Sequence, residues 1–106
     1  MFEKIAQLMG ISKREQENSA EHCVLVVDDN QTDLAIIRKT VEKMGNRVLV
    51  AENGKIGFEV AKTERPDLIL SDCCMPELGG IAMCKQLKED EETRRIPIVF
   101  LTWVDT

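Results

Sequence analysis

Short apolar runs alternate along the chain with segments of helical periodicity, and this alternation restricts the fold more than any other sequence feature. Four segments have the pattern of strands: 23–28, 47–51, 67–72 and 96–102. Three segments between them carry apolar residues at helical spacing: 33–44, 55–64 and 80–90. Strands that alternate with helices over short connections indicate right-handed crossovers and a parallel sheet. The sequence therefore predicts an α/β fold with helices on both faces of an open parallel sheet.

Three aspartates close two of the apolar runs. Asp28 and Asp29 end the first predicted strand, and Asp72 ends the third. Ligands of an open parallel sheet bind outside the carboxyl ends of its strands, so these carboxylates are expected to share one site. Crowded carboxylate oxygens suit a divalent cation, although Asp29 or Asn30 could also cap the following helix. We predict that the three aspartates bind a metal ion.

Composition excludes several classes of function. The chain has 106 residues, which is the length of one domain, and its 43% apolar and 31% charged residues are typical of a globular protein. A net charge of −5 argues against a nucleic-acid partner. No apolar run has membrane-spanning length, and the four cysteines form no C-x-x-C motif or legible disulfide framework. We predict a cytoplasmic chain with reduced thiols and no membrane partner.

Three stretches of the sequence match the motifs of a known family. They are VLVVDDN at 24–30, DLILSDCCMPELGG at 67–80 and PIVFLT at 97–102. In their order and at their predicted strand ends, they strongly resemble the receiver domain of bacterial two-component response regulators. The resemblance implies a flavodoxin-like fold, here with about four strands in the order 2-1-3-4, and an architectural role for Gly80 in shaping the loop after the third strand.

The resemblance also implies a phosphorylation switch rather than an enzyme. Asp72 would accept a phosphoryl group from a histidine kinase or a phosphotransfer protein. Mg2+ would be held by Asp28, Asp29, Asp72 and the backbone carbonyl of Cys74, and it would neutralise the repulsion between the carboxylate and the phosphoryl group. Thr102 would be the switch hydroxyl that hydrogen-bonds the phosphoryl oxygen. The predicted function is thus a phosphoacceptor module of a two-component phosphorelay.

The two ends of the chain depart from the family pattern. Residues 1–21 are predicted to be a helical extension or linker ahead of a domain over 22–106, because Phe2, Ile5, Leu8 and Met9 share one helical face. This segment could be a frayed extension or a helix docked on the sheet. A receiver normally continues after its threonine through a helix, a strand ending in Lys-Pro and a last helix. We therefore expect a C-terminally shortened receiver.

The expected shortening has consequences for the site and for assembly. The lysine that contacts the phosphoryl group is not at its usual place, so either phosphorylation is weak or another chain completes the site. An uncovered sheet edge or face predicts a homodimer. Trp103 stands where the family has a small residue, so it could restrict access to Asp72 or pack over the end of the core.

Other functions stay open at this point. The chain could be a phosphorylation-independent interaction module that keeps a degenerate receiver fold, or an incomplete fragment of a longer response regulator. A metal-dependent phosphatase that uses aspartyl-phosphate chemistry is a more distant alternative. Its usual D-x-D motif is absent at 28–30, where the sequence is Asp-Asp-Asn.

Overall fold

The computed structural model describes residues 22–72 and 79–101. The elements follow the predicted alternation: β1 (Cys23–Val27), α1 (Gln31–Glu42), β2 (Arg47–Ala51), α2 (Gly54–Glu64), β3 (Leu68–Ser71), α3 (Gly80–Glu89) and β4 (Ile98–Phe100). All strand pairs in this part of the chain are parallel, and the strand order is β2-β1-β3-β4. The α/β class and the order 2-1-3-4 are confirmed. The predicted extension over 1–21 lies outside the described residues.

Two apolar cores cover the two faces of the sheet. Successive side chains of a strand point to opposite faces, so β1 contributes Val24 and Val26 to one core and Leu25 and Val27 to the other. The first core is closed by residues of α1, namely Leu34, Ile37 and Val41. The second is closed by residues of α2 and α3, namely Ala61, Met83 and Leu87. Helices therefore lie on both faces, as the apolar runs predicted.

The ends of α1 differ from the predicted range of 33–44. Asn30 is the N-cap, and its side-chain oxygen accepts hydrogen bonds from the backbone N–H groups of Thr32 and Asp33, so the helix begins two residues early. The helix ends at Glu42, and Gly45 closes the turn with φ of 84° and an N–H that donates to the Glu42 carbonyl. Met44 consequently lies in a turn rather than in the helix.

The last strand is shorter and more exposed than predicted. A buried strand was expected over 96–102, but β4 covers Ile98–Phe100 and its residues are half-buried or exposed. Ile96 instead closes a turn, because its N–H donates to the Thr93 carbonyl. Within the described residues β4 pairs with β3 alone, so one of its sides has no neighbouring strand there. Among the same residues, no helix combines the length and the hydrophobicity needed to cross a membrane.

Adjacent isoleucines on α1 test how the helix packs on the sheet. Ile37 is 1% exposed in the core, whereas Ile36 is 53% exposed. We expect Ile37→Ala to lower the free energy of unfolding by roughly 2–5 kcal/mol, because it leaves a cavity beside β1. The matched change Ile36→Ala should stay within about 0.5 kcal/mol of the parent. Urea unfolding measures both values, and equal losses would contradict this packing.

Candidate functional site

Backbone pairing carries two of the predicted aspartates to the same edge of the sheet. The Asp28 N–H donates to the Ala51 carbonyl over 3.0 Å, which extends the pairing of β1 with β2 by one residue. The Asp72 N–H donates to the Val27 carbonyl over 2.9 Å, which extends the pairing of β3 with β1 in the same way. Both residues therefore leave the sheet at the carboxyl ends of their strands, where open parallel sheets bind ligands.

The carboxylates of Asp28, Asp29 and Asp72 form one cluster. One oxygen from each residue lies within 4.8 Å of the others. Asp28 is only 2% exposed, Asp29 is exposed, and Asp72 is half-buried. The structure thus brings together three predicted site residues. Two more, Cys74 and Thr102, lie outside the described residues, as does Trp103.

The ionisation of Asp28 is disfavoured by its position in this cluster. Burial raises the pKa of its carboxyl group above the usual 3.8, since a buried charge loses hydration. The backbone N–H of Asn30 donates to Asp28 Oδ1 over 2.9 Å, and this bond lowers the pKa in part. The charges of Asp72, Asp33 and Asp29 raise it again. The ionised form of Asp28 is therefore disfavoured in this structure.

The donor set fits a small divalent cation of the Mg2+ type. Mg2+ prefers oxygen ligands, usually takes one or two carboxylates, and retains several waters. The exposed and half-buried positions of Asp29 and Asp72 leave such a site open to water on one side. Helix capping does not compete for the aspartates, because the Asn30 side chain supplies the cap of α1. Asp28 and Asp29 are thus available as ligands.

Two residues support the backbone of Asp72, and the sequence pointed to only one of them. Ser71 is fully buried, and its hydroxyl donates to the Asp72 backbone carbonyl over 2.8 Å. A Cβ atom added to Gly80 would collide with the same carbonyl oxygen, so the start of α3 can lie here only without a side chain. The architectural role expected of Gly80 agrees with this contact. No role was predicted for Ser71 from the sequence, although it is the single polar residue in the run Leu-Ile-Leu-Ser.

Comparison with known proteins agrees with the geometry. The family model described as the response regulator receiver domain matches residues 24–106. Protein PilH of Pseudomonas aeruginosa is 42% identical over 82 residues, which are 77% of this chain and 68% of that protein. The polar-differentiation response regulator DivK of Brucella anthropi is 37% identical over 79 residues, which are 74% of this chain and 64% of that protein. The chain thus spans about two thirds of these relatives.

A solved structure of a receiver domain has the same fold as this chain. The receiver domain of the sensor histidine kinase PA1611 from Pseudomonas aeruginosa superposes with a TM-score of 0.75 at 32% identity. The alignment covers 78% of this chain and 68% of that domain. In that domain a magnesium ion is coordinated in the active-site cleft.

The raised pKa of Asp28 predicts how stability depends on pH. A raised pKa in the folded state stabilises the fold fully below the unfolded value of 3.8, and this contribution is lost as the pH rises through the folded value. At neutral pH without a divalent cation, Asp28→Asn should therefore raise the free energy of unfolding. The gain should shrink towards zero as the pH falls to 3.8, as measured by urea unfolding across that range.

A cation titration completes this test. Mg2+ at a hundredfold excess over its Kd should stabilise the parent chain by roughly 2.7 kcal/mol, and Asp28→Asn should lose most of that effect. Glu59→Gln removes an exposed carboxylate from α2, away from the cluster, and serves as the control that keeps the response to Mg2+. A parent chain and an Asp28→Asn variant with the same pH profile would contradict the electrostatic account.

Proposed function

The chain belongs to the response regulator receiver domain family of two-component signalling, and on that basis we propose that it accepts a phosphoryl group on Asp72 in a Mg2+-dependent reaction. The observation that carries the proposal is the convergence of the three carboxylates that follow β1 and β3, at the carboxyl ends of these strands. Three carboxylates can bind a divalent cation. Such a cation makes an aspartate beside it able to accept a phosphoryl group.

The three aspartates differ in exposure, and we assign their roles by this difference. Asp28 is 2% exposed, so it is suited to bind a cation from the protein side of the site rather than to contact an incoming phosphodonor. Asp72 is half-buried, and the resemblance to receiver domains supports it as the acceptor. Asp29 is exposed beside it and would complete the carboxylate ligands, with the Cys74 carbonyl as the further ligand that the resemblance implies. When bound, Mg2+ would neutralise the charge that builds up around the transferring phosphoryl group.

The transfer exchanges one bond to phosphorus for another. An oxygen of the Asp72 carboxylate forms the new P–O bond while the bond from phosphorus to the donor breaks, and the bonding pair leaves with the donor. The product is an acyl phosphate, and no oxidant or reductant takes part. The carboxylate and the phosphoryl group are both negatively charged. The protein therefore contributes positioning and electrostatic stabilisation, because the transfer requires little other chemistry from it.

The donor and the signal output follow from the same assignment. We propose a histidine kinase or a phosphotransfer protein as the phosphoryl donor, and Thr102 as the hydroxyl that responds to phosphorylation. PilH and DivK are similar to this chain over part of their length, and the similar PA1611 domain belongs to a sensor histidine kinase. A cytoplasmic location and the absence of nucleic-acid and membrane partners remain predictions from the sequence.

The acceptor assignment is tested by intact-mass spectrometry. We expect the parent chain, treated with Mg2+ and acetyl phosphate, to gain the mass of one phosphoryl group, because Asp72 is open to a small donor. Asp72→Asn should give no adduct. Asp67→Asn is the matched control, since it makes the same change just before the other end of β3 and can still accept the hydrogen bond from the Cys23 N–H. That variant should form the adduct normally.

The same measurement separates the switch from the alternative of an interaction module. An adduct that persists in Asp72→Asn would place the acceptor elsewhere and contradict the assignment. A parent chain with no adduct and no detectable Mg2+ binding would instead support a module that acts without phosphorylation.

Self-association is a further part of the proposal. Phe100 lies on β4, whose one side has no neighbouring strand in the described residues, and it is 37% exposed; Ile81 on α3 is 68% exposed. Exposed strand edges favour pairing with another chain. We expect light scattering to give the molar mass of a dimer, and Phe100→Glu to shift it towards the monomer. Ile36→Glu adds the same charge on α1 as a control, and a parent chain that stays monomeric at high concentration would contradict the dimer.

A further inference from the structure

We propose that Ser71 is a positioning residue for the phosphoacceptor: its buried hydroxyl fixes the backbone carbonyl of Asp72 and thereby directs the Asp72 carboxylate towards Asp28 and Asp29. The inference rests on the proposed function of Asp72, and it adds a residue that the family motifs quoted above do not assign to the reaction. Ser71 touches no reacting atom and acts through the backbone of its neighbour.

The environment of Ser71 requires its hydroxyl to have a partner. The residue is 0% exposed at the end of β3, where a hydroxyl without a hydrogen bond would cost free energy. Its O–H donates to the Asp72 carbonyl oxygen over 2.8 Å. Backbone pairing fixes Ser71 itself, because its carbonyl accepts the Leu101 N–H over 2.9 Å and the residue is in register with Val27 and Phe100. The hydroxyl is therefore anchored to the rigid part of the sheet.

The peptide groups on both sides of Asp72 are consequently held. On one side the Asp72 N–H donates to the Val27 carbonyl over 2.9 Å. On the other side the Asp72 carbonyl accepts from Ser71 and faces the start of α3, where no Cβ atom on Gly80 could fit. A backbone fixed at its N–H and at its C=O also fixes the direction of the Cα–Cβ bond. The Asp72 carboxylate thus starts from a defined place, within 4.8 Å of the other two carboxylates.

Such positioning matters because transfer depends on small distances. A displacement of about 1 Å at a reacting group can cost on the order of a hundredfold in rate. Losing one hydrogen bond to the supporting backbone should displace Asp72 less than that. We therefore expect Ser71→Ala to slow adduct formation roughly tenfold at saturating Mg2+ and acetyl phosphate.

The experiment measures three quantities on the full chain: the free energy of unfolding, the Kd for Mg2+, and the rate of adduct formation against acetyl phosphate concentration. Ser71→Ala should lower the maximal rate and raise the Kd for Mg2+, because Asp72 is both acceptor and ligand. The KM for acetyl phosphate should change little, since Ser71 does not face the donor. Ser71→Cys keeps a weak donor of similar shape and should recover part of the rate.

Thr93 provides the matched control. It is also 0% exposed, and its hydroxyl donates to a backbone carbonyl, that of Leu87, over 2.7 Å. This bond lies at the opposite end of α3 from Gly80. Thr93→Val removes the hydroxyl while keeping the volume, so it should lower stability and leave the rate and the Kd for Mg2+ at their parent values.

Gly80→Ala perturbs the same carbonyl from the start of α3. The hydroxyl of Ser71 is retained, but the added methyl group crowds both that hydroxyl and the Asp72 carbonyl, so these groups or the start of α3 must shift. We expect the same signature as for Ser71→Ala, namely a lower maximal rate and a higher Kd for Mg2+. Because the substitution adds an atom rather than removing a hydrogen bond, it also keeps the inference testable if Ser71→Ala folds poorly.

Several outcomes would overturn the inference. It fails if Ser71→Ala behaves like Thr93→Val, with lower stability but an unchanged rate and Kd for Mg2+. If the parent chain binds Mg2+ but forms no adduct, the proposed function has failed, and the Kd alone decides whether Ser71 positions Asp72: an increase supports it, and an unchanged value contradicts it. A parent chain that neither binds Mg2+ nor forms an adduct contradicts both proposals.

Discussion

The parallel pairing of β1 with both β2 and β3 is the constraint on which the candidate site depends. Its register sets Val27 beside Ala51 on one side and beside Ser71 on the other, so the residues that follow β1 and β3 emerge together. A slip of one residue would turn every side chain of a strand to the wrong face. Because β1 contributes side chains to both cores, such a slip would exchange them between the cores and disrupt the packing of each. Packing therefore fixes the register, and the register fixes where Asp28 and Asp72 meet.

The carboxylates of the site lower the stability that this packing provides. Three like charges share a small region, and one of them, on Asp28, is removed almost completely from water. A hydrogen bond from the Asn30 N–H offsets part of that cost, and the pKa of Asp28 remains raised. Local rules are commonly broken where function requires it, at a cost that the rest of the fold must cover. Here the unfavourable charge cluster lies at the end of the most deeply buried strands.

Sequence periodicity was sufficient to locate the strands and helices along the described part of the chain. The range 47–51 for β2 was predicted as it is observed, and the convergence of Asp28 with Asp72 followed from the rule for parallel strand ends. The limits of β4 were wrong, because an apolar run does not show where backbone pairing stops. The role of Ser71 was missed for a related reason. Its partner is a backbone atom next to Gly80, and a single polar residue in an apolar run does not show which backbone atom it will bind.

Ser71 also connects the proposed acceptor, Asp72, to the residue that precedes the predicted switch, Thr102. Its hydroxyl binds the Asp72 carbonyl, and its own carbonyl binds the Leu101 N–H, one residue before Thr102. Any shift of the Asp72 peptide that accompanies phosphorylation would therefore act on a residue that is hydrogen-bonded to the end of β4. The ring of Phe100 lies next to Gly80, since its Cε1 would be 3.0 Å from a Cβ atom on that residue. The residue proposed to position Asp72 is thus also placed to limit how far β3 and β4 can move independently of Asp72.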